Sequence, residues 1–144
     1  MKFSSNLPKI IVLVVLIGAV AIYFLDLIDP RMESVRADVV IPELTALAKD
    51  GKVVFDKNCA SCHGVNAAGT EKGPPFVNNI YNPGHHSDRA FYLAAKNGVR
   101  QHHWPFGNMP AQPQVSEADL QAIIQYVREM QLANGIVTQP HKMQ

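Results

Sequence analysis

The sequence predicts an all-α fold, on three observations. Three segments carry apolar residues at the three-and-four spacing of a helix face, no segment shows the period-two alternation of a strand, and the stretches between the helices are long and rich in proline. At 144 residues the chain is too short for two full-sized domains. Its 47% hydrophobic content excludes a disordered polyelectrolyte, and a net charge of only +1 leaves no basic stripe to neutralise phosphates. Nucleic acid is therefore excluded as a partner.

The first element is apolar. Residues 1–9 carry Lys2 and Lys9, and from Ile10 to Leu25 no residue is charged. Asp26, Leu27 and Ile28 extend the stretch to residues 10–28, which as a helix spans roughly 28 Å, close to the hydrocarbon core of a bilayer. Positive residues before it and Asp26 and Asp29 after it put residues 1–9 in the cytoplasm and the rest of the chain outside. The competing reading is a cleaved signal peptide, since Ala19-Val20-Ala21 forms a small-residue cleavage site. Against it, the apolar run continues through Ile22, Tyr23, Phe24 and Leu25, where a polar mature start is expected, and the two aromatics suit a membrane interface. The expectation is a transmembrane anchor over 10–28.

Residues 29–42 read as a linker, opened by Asp29-Pro30 and closed by Ile41-Pro42, with charges of both signs between. Leu44, Leu47, Ala48, Gly51, Val54 and Phe55 then make one helix face, with Pro42 at its entrance and its end near Asn58. A second helix is expected from Asp88 to Asn97, capped by Ser87 and stopped by Gly98. The third opens on Ser116 and Asp119 as a capping box, carries Leu120, Ile123, Ile124 and Val127 on one stripe, and ends at Asn134-Gly135. Between them lie Pro74, Pro75, Pro83, Pro105, Pro110 and Pro113, in loops too long for a compact domain unless something other than protein fills its centre.

Cys59-Ala60-Ser61-Cys62-His63 supplies the filling, because C-x-x-C-H attaches haem c. Two thiols at this separation reach the two vinyl groups of one haem, and the adjacent histidine comes under the iron. A thioredoxin-like pair belongs after a strand in an α/β pattern, which is missing, and a structural zinc site needs further ligands at suitable spacing. One covalently attached haem c is expected, held by Cys59 and Cys62, with His63 as proximal ligand.

With these residues in view, the chain from Glu43 to Gly135 resembles a class I c-type cytochrome, of the monohaem, membrane-anchored bacterial type. The resemblance implies three main helices and loops around one haem, with a domain over 43–135 and a tail over 136–144. It implies that the first of these helices leads into the haem motif and is crossed by the last, Gly51 and Phe55 meeting Tyr126. Gly73-Pro74 stands where the family has the turn whose proline carbonyl orients the proximal imidazole. Gly107-Asn108-Met109-Pro110 stands where the family has its distal methionine, so Met109 is the implied sixth ligand. From the residues alone, His102, His103 or an open site compete with it, and thioether ligation raises the reduction potential relative to bis-histidine.

Arg100, His102, His103 and Trp104 crowd the same loop, where Arg100 or Trp104 donates to a haem propionate or the loop is simply solvated. A copper site of His102, His103 and Met109 has suitable ligand types but takes the methionine from iron. His85 and His86 follow a Pro-Gly turn and read as surface. The lysines name no partner. No acid–base pair accompanies the histidines in sequence, so the expected function is that of an electron carrier rather than an enzyme. It passes single electrons between respiratory or photosynthetic redox complexes, held in the lipid bilayer of the bacterial inner (cytoplasmic) membrane by the single transmembrane segment 10–28, with the haem domain in the periplasm. The alternatives are a haem-based ligand sensor or peroxidase-like enzyme with a vacant distal site, and a fixed electron-entry subunit of a larger oxidase or reductase.

Overall fold

The computed structural model describes residues 7–27 and 38–140. Expectations for residues 1–6, for most of the linker (28–37) and for the end of the tail (141–144) lie outside the described residues. The chain divides into two compact units, Met1–Glu33 and Ser34–Gln144.

The first unit holds helix α1, Leu7–Leu27. Its described side chains, residues 8–23, are exposed except at Gly18, with Val14, Val15, Ile22 and Tyr23 each more than 60% accessible. Among the described residues, no helix is long and apolar enough to cross a membrane.

The second unit is helical, and among its described residues extended pairing is limited to two isolated bridges, Thr70 with Gly73 and Val99 with Met109. Helix α2 runs Ala46–Asn58, two residues later than Leu44, because Thr45 is its cap and accepts from the amide of Ala48. A single turn, α3, follows at Ala60–His63, then 3-10 turns at Val65–Ala67 and Asn79–Tyr81. Helix α4 spans Asp88–Asn97; Ser87 caps it by position, but its hydroxyl makes no capping bond, and Asp88 instead receives Nε of Arg128 at 2.7 Å. Helix α5 spans Glu117–Ala133 and opens on the expected Ser116–Asp119 capping box.

The packing of α2 on α5 builds the core. Phe55 and Tyr126 are fully buried with ring centroids 5.3 Å apart, and Ala48, Val127 and Met130 close around them. Gly51 lies against the backbone of Ala122, about one turn before Tyr126, where a Cβ would stand 1.9 Å from the carbonyl oxygen. Leu47 departs from its predicted face and is 45% exposed. The helix entrance holds another strap, since Val40 and the Asn134 side chain exchange hydrogen bonds of 2.7 and 2.8 Å. Ile136 is buried, and Gln139 donates to Asn82, so the chain beyond α5 folds back on the unit.

Candidate functional site

The end of α2 delivers the cysteine motif to a cavity. The amide of Cys59 donates to Phe55 at 2.8 Å and that of His63 to Cys59 at 2.9 Å, so the motif continues helically for one turn. Gly64 then turns at φ +78°, and a Cβ there would lie 2.4 Å from the carbonyl oxygen of Gly69. Only glycine allows that return, which the Gly69 amide fixes by donating to His63 at 2.7 Å.

The returning loop places a carbonyl against the imidazole. Thr70 Oγ1 donates to the Cys62 carbonyl, the Thr70 amide to Gly73, and Gly73 packs so tightly on Cys62 that a Cβ would come within 2.9 Å of its oxygen. Pro74 is thereby held with its oxygen 2.9 Å from His63 Nδ1. A carbonyl only accepts, so Nδ1 carries the proton and Nε2 is left with the lone pair. Phe76 stacks on the ring at 4.1 Å. His63 is buried, and burial pulls its pKa below the usual histidine value against the opposing pull of the Pro74 carbonyl, which favours the neutral ring with its lone pair on Nε2.

His63, Cys59 and Met109 line one cavity of about 430 Å³, walled by Phe76, Tyr81, Phe91 and the aliphatic faces of α4 and α5. Met109 reaches it from the opposite arm of the bridge, where Val99 and Met109 exchange 2.9 Å backbone hydrogen bonds. Gly98 ends α4 at φ +75° directly under this bridge, since a Cβ would lie 2.6 Å from the Met109 oxygen. Cys62 is exposed and lies outside the lining. Burial, with the neighbouring Cys62 second, pushes the Cys59 thiol up to about 11, the reverse of the lowered pKa that redox-active C-x-x-C pairs use.

Of the loop residues, Arg100 is exposed and Trp104 half-buried, and neither lines the cavity. The Trp104 indole Nε1 is buried without a hydrogen bond; it lies close enough to the Tyr81 hydroxyl to oppose the burial that raises that phenol to about 12, but without bonding geometry. His102 and His86 do line the cavity. His85 and His86, expected as surface, are half-buried because the turn at Pro83-Gly84 folds them against the 100–109 loop.

Sequence reasoning also missed Arg128 and Gln131, neighbours at i and i+3 on α5. Gln131 is buried and donates to the carbonyls of Phe76 (2.8 Å) and Tyr81 (3.0 Å), while Arg128 donates to Tyr81, His86 and the Gln131 side chain. Together they clamp the 76–86 loop that carries the ring stacked on His63. The only signal was a polar residue interrupting an apolar stripe.

The residues present suit a haem: an apolar slot, a neutral imidazole with Nε2 free, a thioether on the same cavity, two thiols three positions apart, and an indole N–H without an acceptor. Comparison with known proteins agrees. The cytochrome c family model matches residues 48–131. The chain is 36% identical to cytochrome c oxidase subunit 2 of Alkalihalophilus pseudofirmus, over 74% of this chain and 32% of that protein. It is 29% identical to the cbb3-type cytochrome c oxidase subunit CcoP of Rhodobacter capsulatus, over 72% and 39%. A shorter match, 32% identical over 58% of this chain and 11% of the relative, is to lupanine 17-hydroxylase (cytochrome c) of a Pseudomonas. The chain thus spans well under half the length of these relatives, and no solved structure matches it significantly.

Proposed function

The chain belongs to the cytochrome c family, and from that premise we propose that it is a monohaem electron carrier, with the haem covalently attached through Cys59 and Cys62 and ligated by His63 and Met109. The observation that carries this reading is the pairing of His63 and Met109 on one apolar cavity, with the imidazole proton committed to Pro74. Bound there, haem supplies a one-electron iron couple whose potential a thioether ligand raises.

The chain's own residues do the rest. Pro74 fixes the His63 tautomer and Phe76 its ring plane, so the ligand does not reorient between oxidation states. The aliphatic walls from α4 and α5 exclude water, and the unpaired Trp104 N–H offers a donor to a propionate, with Arg100 as a second donor on the same loop.

Residues 10–28 are the proposed transmembrane anchor, with residues 1–9 cytoplasmic and the haem domain in the periplasm, on the inner membrane. Support comes from the uncharged run Ile10–Leu25 and from the exposure of α1's described side chains, which end at Tyr23, two positions short of the end of that run. Membrane redox complexes are the proposed donor and acceptor. A fixed place in a larger oxidase is the second reading, favoured by relatives that are themselves named as oxidase subunits. Optical and redox titration of the purified protein tests the haem, its ligands and its potential together. A low-spin, reversible one-electron couple is expected; a high-spin ferric form would overturn Met109 ligation. Co-purification with an oxidase in mild detergent decides the second reading.

A further inference from the structure

Four histidines gather at the cavity's edge, and the haem ligation proposed above, by His63 and Met109, uses none of them. The rings of His85 and His103 lie 5.2 Å apart, those of His86 and His103 5.2 Å, and those of His102 and His103 4.3 Å. We propose that His85, His86 and His103 form a binding site for a divalent transition-metal ion, with Zn2+ the best fit.

One ring nitrogen from each of the three lies within 4.8 Å of the others. His85 Nε2 and His103 Nε2 are 3.3 Å apart. Two nitrogens bound to Zn2+ at about 2.0–2.1 Å and a tetrahedral angle stand about 3.3 Å apart, whereas square-planar neighbours would stand about 2.9 Å apart. At 3.3 Å this pair already stands at the tetrahedral spacing, a distance the two rings also keep as a hydrogen-bonded pair without a metal. Closing the remaining pairs from at most 4.8 Å to that spacing falls to His85, half-buried, and His103, exposed. An all-imidazole set selects Zn2+, Cu2+ or Ni2+ and rejects Ca2+ and Mg2+, which require oxygen ligands. Three protein ligands leave a fourth position to solvent.

The supporting shell is built. His86 Nδ1 donates to the Ile80 carbonyl at 2.7 Å, so its Nε2 holds the lone pair, the arrangement outer-shell carbonyls impose on ligating histidines. The turn that carries His85 and His86 is pinned at both ends. Their amides donate to Asn82 at 3.0 and 2.8 Å, and Gly84 sits where a Cβ would meet the Gln139 oxygen at 1.8 Å. Across from it, the Gln101 amide donates to Asn108 Oδ1 and the Gly107 amide to Gln101 Oε1, over the neck of the loop that presents His103. A metal here would staple the 79–86 turn to the loop that carries Met109. Since His86 also lines the cavity, the site must be tested with haem in place.

The test is calorimetric titration of Zn2+ into the untagged, full-length, haem-loaded protein, in excess Mg2+. One equivalent should bind with a Kd of about 1 µM or tighter. His85→Gln and His103→Gln should each weaken it by about 100-fold or more, beyond the usual cost of losing an outer-shell partner, while His102→Gln changes little. On the wild-type protein, Cu2+ as a spectroscopic probe should show electron-spin couplings to three nitrogens. The site is overturned if no saturable equivalent binds, if binding survives in the His85/His103 double variant, or if His102→Gln abolishes it instead.

Discussion

Gly51 lies so close to Ala122 that an added Cβ would sit 1.9 Å from the Ala122 carbonyl oxygen. Backbone, not a flexible side chain, occupies the space, so α2 and α5 must separate to accept even a methyl group. Gly51→Ala should therefore destabilise the haem domain by about 3 kcal/mol, the upper end of ordinary overpacking, and lower Tm by about 10 °C or more. Leu47→Ala, four residues earlier and largely exposed, should stay within about 0.5 kcal/mol. Thermal melts of both, followed by far-UV circular dichroism, check the pair; equal losses would put the helix crossing elsewhere.

Tyr126 makes the same crossing sensitive to alkali. Its hydroxyl is buried without a hydrogen-bond partner, and burial first, with the Asp56 charge second, pushes its pKa up to about 12. An acid whose folded pKa exceeds its unfolded value of about 10 contributes full stability below pH 10 and loses it as pH rises towards 12. The wild-type domain should unfold progressively over that window. Tyr126→Phe removes the titrating group and an unpaired polar atom together, so its stability at pH 7 should be equal or higher and its decline from pH 10 to 12 shallower. Urea titrations at pH 8, 10 and 11 decide, a parallel decline in the variant counting against it.

Ligation by Met109 predicts a specific set of losses. The oxidised wild-type protein should be low-spin, with the weak near-infrared sulfur-to-iron band. Met109→Ala should erase the band, lower the potential and let carbon monoxide bind the ferrous form. Cys59→Ser with Cys62→Ser should leave no haem that survives acid-acetone extraction. If Met109→Ala keeps its spectrum while His102→Ala loses it, the distal ligand is His102, which lines the same cavity.

Arg128 ties three parts of the site together, and its loss should be felt at the loop rather than the helix. It donates to Tyr81 and His86, pairs with Asp88, and covers the Phe91 ring at 4.9 Å. Arg128→Ala leaves two carbonyls without charge-assisted donors, a cost of about 2–3 kcal/mol. Hydrogen exchange should rise for amides 79–86 and stay slow in α2, where no Arg128 contact reaches; uniform acceleration would mean that Arg128 stabilises the domain globally instead.

What could be read in advance follows from how local each signal was. The three helices of the haem domain were legible because Ser116–Asp119, Gly98 and the apolar spacing act within one or two turns. The cytochrome c family was legible because the motif that carries the resemblance, Cys59 to His63, sits in five consecutive residues. Leu47 was misplaced because α5 covers a narrower stripe of α2 than its apolar residues alone suggest. Gln131 and the histidine group were missed because their partners, Phe76, Tyr81 and the 100–109 loop, are brought close only by the tertiary fold.

The anchor should affect delivery of electrons but leave the haem site unchanged. Val40 exchanges two hydrogen bonds with Asn134, so a chain shortened to begin at Val39 retains this strap, while one beginning at Glu43 loses it. Exported with a foreign cleavable signal, the Val39 form should mature with haem and keep the spectrum and potential of the full chain. Because the strap fixes Val40, the linker expected over 29–42 is shortened to 29–39; as a free coil those residues would span about 18 Å root-mean-square and at most roughly 36 Å, a reach within which a neighbouring complex would see an effective concentration near millimolar. Brief, weak docking then suffices for turnover. Untethered, the same domain must find its partner by diffusion, so at equal haem the soluble form should sustain slower oxygen or terminal-acceptor consumption by membranes until it is supplied in excess. Equal rates at low haem would remove the anchor's role, and a mature chain starting at Ile22 would show that residues 1–21 are a signal peptide.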